Sequence, residues 1–245
     1  MKALLWCTLI LGLLAVPRGA CFAASFEVDR FVTPAGEVTV TFLGHGTLLF
    51  SFGGTVIHVD PYGKVADYGA LPKADGVLIT HEHGDHLDTS ALALIMTPET
   101  DLVLNAASAE VLGKGRVMKN GERGTVAGIA VEAVPAYNVV HKRENGQPFH
   151  PKGAHNGYIL TYGGMRFYIA GDTENSQEMS AMQDIDVAFL PMNLPYTMTP
   201  EMVADGALAF RPKILYPYHY GDTDTKELVA RLADSGIDVR IRAMK

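Results

Sequence analysis

The chain has 245 residues, 48% of them hydrophobic, and carries 27 acidic against 20 basic side chains for a formal net charge of −7. Nucleic acids and anionic membrane surfaces recruit proteins through clustered Lys and Arg, so this balance argues against either as a standing partner. The length suffices for a single large domain with its own core.

The first element is a targeting segment. Met1-Lys2 is a basic start, residues 3–16 are almost unbroken apolar sequence, and Pro17, Arg18 and Gly19 interrupt the run. Ala20-Cys21-Phe22-Ala23-Ala24 then offers small residues for cleavage. This is the pattern of a signal peptide over residues 1–24, with an apolar core too short for a comfortable bilayer span. Cleavage is expected after Ala23 or Ala24, which leaves residues 25–245 as a single exported, periplasmic domain. Lipidation of Cys21 is the rival processing, and Arg18 fits it poorly. Both cysteines, Cys7 and Cys21, leave with the leader, so no disulfide framework, thiolate ligand or thiol nucleophile is expected. The cleaved chain keeps 18 basic against 27 acidic residues, a net charge of −9. No later segment is apolar and long enough to cross a membrane.

Residues 38–43 alternate like a strand, and residues 48–52 and 55–59 flank Gly53-Gly54 as a hairpin. Residues 76–80 are a short apolar run that reads as a buried strand, and residues 90–95 read as helical. Between them lies Thr80-His81-Glu82-His83-Gly84-Asp85-His86-Leu87-Asp88. Neutral imidazole is the commonest protein metal ligand, and carboxylate oxygen partners it well. A helical metal site needs ligands at i and i+4. Here His81 and His83 are two apart and Asp85 and His86 are adjacent, so no helix face collects them. A looped backbone can aim His81 and His83 at one ion and Asp85 and His86 at a second. A strand-to-helix loop is also where α/β sheets place their chemistry.

Further along, residues 102–104 read as a strand, 108–112 as a helix, and 113–128 as edge strands and turns. Residues 129–134 alternate and end at Pro135, and residues 158–162 and 165–170 flank Gly163-Gly164 as a second hairpin. Residues 186–190 form a buried strand, and residues 200–210 a helix with Thr199 as N-cap. Residues 213–216 (strand), 225–233 (helix) and 238–241 (strand) complete the chain. Periodicity alone gives mixed α and β structure, with strands early and strand–helix alternation late.

The motif His-x-His-x-Asp-His at His81, His83, Asp85 and His86 resembles the signature of the metallo-β-lactamase fold superfamily. Gly171-Asp172-Thr173 resembles the segment that supplies that superfamily's bridging aspartate, and Tyr216-Pro217-Tyr218-His219-Tyr220 the segment of its last histidine. Leu43-Gly44-His45-Gly46-Thr47 and Val59-Asp60-Pro61 are similar to the branch containing ascorbate-6-phosphate lactonase-like hydrolases. The resemblance spans roughly residues 38–220. It implies a four-layer αββα sandwich of the α/β class. It also implies a metal-dependent hydrolase with two divalent ions, zinc first, with manganese or iron as alternatives. On this reading His81 and His83 bind the first ion, Asp85, His86 and His219 the second, and Asp172 bridges them. Asp85 would also pass a proton to the leaving group.

Related hydrolases carry one more histidine after the strand placed at 129–134, where this chain has Asn138. Asn138 would be a weak carbonyl ligand; His141, His150 and His155 are the alternatives from the following loop. His150 is preferred, because Tyr137-Asn138 followed by His150-Pro151 and Asn156-Gly157-Tyr158 resembles one subgroup of the superfamily. His141, beside Lys142 and Arg143, reads as solvated. Asp60 is expected to support a ligand histidine from behind. His45 reads as a cleft-facing catalytic residue or as a buried, hydrogen-bonded histidine. His58 reads as structural, and Met192, Met198 and Met202 as core. A small-molecule ester, lactone, phosphodiester or amide is the expected substrate, with Lys142, Arg143 and Lys152 as the cations for a phosphate. The competing class is a non-catalytic member of the same fold that binds metal or a partner, for which the gap at Asn138 is the support.

Overall fold

Two seven-stranded sheets carry the chain, each built from one half of it. The computed structural model describes residues 26–245; the leader expected at 1–24 lies outside the described residues. The first half runs β1 (Glu27–Thr33), β2 (Gly36–Gly44), β3 (Thr47–Phe52), β4 (Thr55–Val59), β5 (Gly76–Ile79), α1 (Thr89–Ile95), β6 (Asp101–Leu104), α2 (Ala106–Leu112) and β7 (Arg116–Val117). The second half runs β8 (Arg123–Val126), β9 (Ile129–Ala136), β10 (His155–Tyr162), β11 (Met165–Ile169), α3 (Gln177–Ser180), β12 (Val187–Pro191), α4 (Pro200–Phe210), β13 (Ile214–Tyr218), α5 (Thr225–Arg231) and β14 (Asp238–Val239). In each sheet the strands lie in chain order, β1 to β7 and β14 to β8. Each half begins with antiparallel pairs, all but β9–β10 made by tight turns; a loop over residues 137–154 joins that pair. Each then turns parallel, at β4–β5 and at β11–β12, where a longer crossover is needed.

The sheets pack through aromatic rings. Phe50 meets Phe167 at 5.9 Å and Phe189 at 5.8 Å, both edge to face, and Phe31 meets Phe167 at 5.5 Å. Edge-to-face pairs place the positive ring edge on the negative ring face. Alternate residues of β2 and β3 point into this interface, which is why Val38, Val40, Phe50 and Phe52 are buried. A second apolar layer lies outside the first sheet, where Ala91, Leu92 and Ile95 of α1 pack with Val77, Ile79, Leu102 and Leu104. Val203, Ala207 and Phe210 of α4 cover the second sheet, with Phe210 against Tyr168 at 6.0 Å. The result is the four-layer αββα sandwich. Met192 and Met198 are fully buried in the core and Met202 packs against it.

Two elements were absent from the sequence reading. β1 is an edge strand that buries only Phe31 and Thr33, so its charged residues hide the alternation. α3 has four residues, capped by Ser176, and is too short to show a period. The strand expected to stop before Pro135 continues to Ala136. Ala133 bonds through both N–H and C=O toward the β8 side of β9. Pro135, two residues on, turns its missing donor to that same side, where β8 pairing has already ended at Glu132. The last strand is shorter than expected and stops at Val239; Arg240 keeps one backbone bond to Leu215, and the guanidinium groups of Arg240 and Arg242 reach Asp29 of β1. Met244, just beyond, is buried in the core that the two sheets share.

Candidate metal centre

Five strand ends meet at one edge of the sandwich. The β2–β3 turn carries His45, β4 ends at Asp60, β5 runs into the motif loop, β11 into Gly171-Asp172, and β13 into His219. The motif loop closes on itself through His86 N–H and Leu87 N–H donating to the His83 carbonyl at 2.9 and 2.8 Å. Asp88 then caps α1 by accepting from Ser90 and Ala91 N–H. Space here is tight. A Cβ on Gly46 would lie 2.9 Å from the His86 ring, and Gly171 has φ +65° with the Asn156 carbonyl 2.8 Å from where a Cβ would sit. Three residues that are not glycine hold left-handed backbone at the site: His45 (φ 52°), Asp60 (φ 46°) and His219 (φ 47°).

The hydrogen bonds fix which imidazole nitrogens are free. Asp60 accepts from Thr80 N–H at 2.7 Å, from Thr80 Oγ1 at 2.6 Å and from His86 Nδ1 at 2.8 Å. Thr80 has thus spent its one hydroxyl proton on Asp60. It can only accept from His81 Nδ1, 2.9 Å away. His81 and His86 therefore both carry their proton to these partners on Nδ1, which leaves Nε2 as the nitrogen turned toward a metal. His150 follows the same logic: Asn138 Oδ1 accepts from His150 N–H and from His150 Nδ1, each at 2.8 Å. The Nε2 atoms of His81 and His150 gather with a ring nitrogen of His83, ligand atoms within 4.8 Å of one another. A second group joins His45, Asp85, His86 and His219 on the same criterion. Asp172 lies between the two. Its Oδ2 is 3.4 Å from His150 Nε2, while its Oδ1 is 3.5 Å from His86 Nε2 and 3.7 Å from His219 Nε2.

Such a cluster fits a cation. His86 Nε2, Asp172 Oδ1 and both His219 ring nitrogens are buried without a hydrogen-bond partner. Each such atom costs about 1–3 kcal/mol if left unmatched. Burial pushes His81 well below the ordinary histidine range and takes His150 down to about 4, which favours the neutral form a ligand needs. Burial works against the Asp172 carboxylate, but the imidazoles of His219, His86 and His150 outweigh it and lower it to about 2. At His86 burial is opposed by the carboxylates of Asp172 and Asp60, which raise it to about 9, so a cation bound there would displace a proton from Nε2.

A model of the β-lactamase superfamily domain matches residues 39–219. The chain belongs to this superfamily. A metal-dependent hydrolase of Polaromonas sp. is 33% identical over 257 residues, covering 90% of this chain and 93% of that protein. A solved structure from Parabacteroides distasonis, described as a metal-dependent hydrolase by assignment, is 51% identical with a TM-score of 0.86, covering 90% of this chain and 100% of that one. Igni18, a metallo hydrolase from Ignicoccus hospitalis, is 25% identical with a TM-score of 0.69, covering 83% of this chain and 94% of that one. Fold, ligand clusters and relatives together make this chain a metal-dependent hydrolase of the metallo-β-lactamase superfamily.

Within that superfamily frame, the site brings together every residue named from the motif segments: His81, His83, Asp85, His86, Asp172 and His219. His45 faces the cavity, its Nε2 3.0 Å from Asp85 Oδ2. Three expectations need correction. Asn138 is not poised as a ligand, since its oxygen is taken by His150 and its nitrogen donates to Glu174 and the Tyr196 carbonyl. His141 is not a free surface ring; its Nδ1 lies 2.6 Å from Glu174 Oε1. Lys152 is turned away from the cavity to Glu178, at 2.6 Å. His155 is buried beside the His81 ring and bonds Glu82, outside both ligand groups. His58 is structural, bonded to the Pro72 carbonyl. Two supports escaped the sequence reading. Thr80 fixes the His81 tautomer. Glu174, fully buried, accepts from Asn138 Nδ2, from His141 Nδ1 and from the successive N–H groups of Val139, Val140 and His141. Those groups hold the Glu174 carboxyl below its ordinary range against the opposing effect of burial. The only signal for Glu174 was its place two residues after Asp172.

Proposed function

We propose that this chain is an exported hydrolase that holds two divalent ions, zinc first, and cleaves an ester, lactone or phosphodiester-type bond in a small substrate. One observation carries the two-ion reading: the two oxygens of Asp172 face different ligand groups, Oδ2 toward His150 and Oδ1 toward His86 and His219. His81, His83 and His150 would hold the first ion and Asp85, His86 and His219 the second, with Asp172 placed to serve both. Bound divalent ions supply a Lewis acid and lower the pKa of coordinated water to about 7.

The chain's own residues do the rest. Asp60 and Thr80 keep His86 and His81 in the ligand tautomer, and Asn138 does so for His150. A cavity of about 380 Å³ opens on His83, Asp85, His150, Asp172 and His219, a size that suits a small molecule. Hydrolysis must deliver one proton to the leaving oxygen. Asp85 Oδ2 is the partly exposed carboxylate oxygen at the cavity, and His45 Nε2 donates to it. Asp85 thus takes the proton from attacking water and returns it, while His45 holds the carboxylate in place. The early His45 and Asp60 segments support the lactonase-like branch as the relevant comparison for substrate chemistry.

Elemental analysis after purification without chelator should find about two divalent ions per chain, because six or more ligands exceed the four a single tetrahedral ion uses. His83→Ala should lower that content with the fold retained. A chain that stays metal-free in micromolar zinc and manganese would overturn the reading. Export rests on the leader pattern: the secreted form should begin near Ala24 or Ser25, and an intact cytoplasmic precursor would refute it.

A further inference from the structure

Among the described residues that line the cavity over the ligand groups, Arg143 is the single Lys or Arg, beside four histidines. Its backbone is set by a small hairpin: Arg143 N–H donates to the Gln147 carbonyl at 2.7 Å, Gly146 N–H donates to the Arg143 carbonyl at 2.9 Å, and Lys142 bridges Pro148. Its guanidinium lies over the Phe149 ring, 4.9 Å from the centroid. The Phe149 ring in turn meets Tyr196 edge to face at 5.1 Å, and Tyr196 is itself a wall of the cavity. Arg143 is therefore placed by stacking and makes no ion pair with any described carboxylate. A guanidinium held by its face keeps its edge donors free. Lys152, the other loop cation with a fixed head group, is neutralised by Glu178.

Most other described Arg side chains on this acidic chain are paired, among them Arg116 with Asp101, Arg123 with Glu132 and Arg242 with Asp29, whereas Arg143 and the exposed Arg211 are not; of these two only Arg143 lines the cavity. An unpaired planar fork in a substrate-sized cavity matches the geometry of a carboxylate or phosphate, which it binds through two parallel N–H···O bonds. Asn193, also lining the cavity, adds a neutral polar group. Resting on the hydrolase reading above, we infer that the natural substrate carries an oxyanion apart from the bond that is cleaved, and that Arg143 grips it and thereby sets specificity.

Calorimetric titration of the metal-loaded protein with glutarate and, separately, with inorganic phosphate tests this without any turnover. Arg143→Ala should weaken the preferred anion about tenfold or more, and Arg143→Lys should restore only part of the loss because a lysine has no fork. The tighter of the two probes tells whether the recognised group is a carboxylate or a phosphate. Equal affinity in wild type and both variants, meaning anions bind the metals alone, would overturn the proposal. A matched ester pair supplies the second arm: the para-nitrophenyl monoester of glutaric acid and the uncharged para-nitrophenyl pentanoate. The preference for the charged ester in kcat/KM should fall about tenfold in Arg143→Ala, mostly through KM, since the lost contact is made in the ground state too. If wild type turns over neither ester while the calorimetric difference persists, the hydrolase reading is damaged and the oxyanion subsite stands. Turnover with an unchanged preference and unchanged anion affinity in Arg143→Ala would leave the hydrolase reading intact and sink this one.

Discussion

Asn138 and His150 face one another across the cavity loop, and the direction of one proton decides which is the ligand. The amide oxygen can only accept, so His150 Nδ1 donates and Nε2 is left for the metal. His150→Ala should therefore lose most first-site affinity, and Asn138→Ala should lose about 10–100-fold, the usual effect of removing a ligand's orienting partner. Metal titration against a competing chelator measures both; a larger loss in Asn138→Ala than in His150→Ala would mean the roles are reversed. The sequence offered both residues but not their relation, because twelve positions of loop separate them and only the fold brings them together. His58 shows the opposite case, since an apolar strand around a histidine already marks it as structural. Burial lowers its pKa to about 4, with the Pro72 carbonyl opposing weakly and Tyr68 as the nearest titratable ring. The unfolded chain then binds a proton that the folded chain refuses. Stability should fall as pH drops from about 6.5 to about 4, by about 3 kcal/mol in total, and level off below. His58→Gln, which keeps a donor for Pro72, should flatten the urea-unfolding profile in that window relative to wild type; parallel profiles would exclude the assignment.

At the scale of elements, the ligands sit where strands end, and the least regular segment does the most positioning. Residues 138–150 have no helix or strand of their own, yet Asn138, Val139, Val140 and His141 all hang on Glu174. Glu174→Gln replaces one acceptor oxygen with a donor facing these N–H groups. It should destabilise the fold by about 3 kcal/mol, the order expected for breaking a buried charged network. It should also weaken the first metal site through Asn138. Urea unfolding with and without zinc separates the effects, and wild-type stability in this variant would show the network to be incidental. This network was illegible beforehand because a side chain that binds backbone N–H groups leaves no periodic trace. Strands such as β2, β3 and β9 were legible for the converse reason: one face is buried, so the sequence alternates. β1 was not, because it buries two residues of seven.

For the whole molecule, the seam between two half-chain sheets is also the floor of the catalytic cavity. Alternation identified strands but not their partners, so the layered arrangement was legible only through the resemblance carried by the motif segments. His219 N–H donates to the His45 carbonyl, and His45 N–H donates to the Lys245 carbonyl, so the last residues of the chain brace loops from both sheets.

The left-handed backbone at His45 and His219 has a consequence for how this sequence can drift. A residue with a Cβ gives up about 1–2 kcal/mol in that conformation, which glycine would recover. His45→Gly should raise the melting temperature of the chelator-treated protein by roughly 2–4 °C while lowering turnover of the loaded enzyme. A lower melting temperature would show that contact with the His219 ring, tilted by 40° with 3.7 Å between ring centroids, outweighs the strain. Where glycine wins on stability, random substitution filtered for folding alone would erase these histidines. Their presence then records selection on chemistry, legible in the backbone of this one chain.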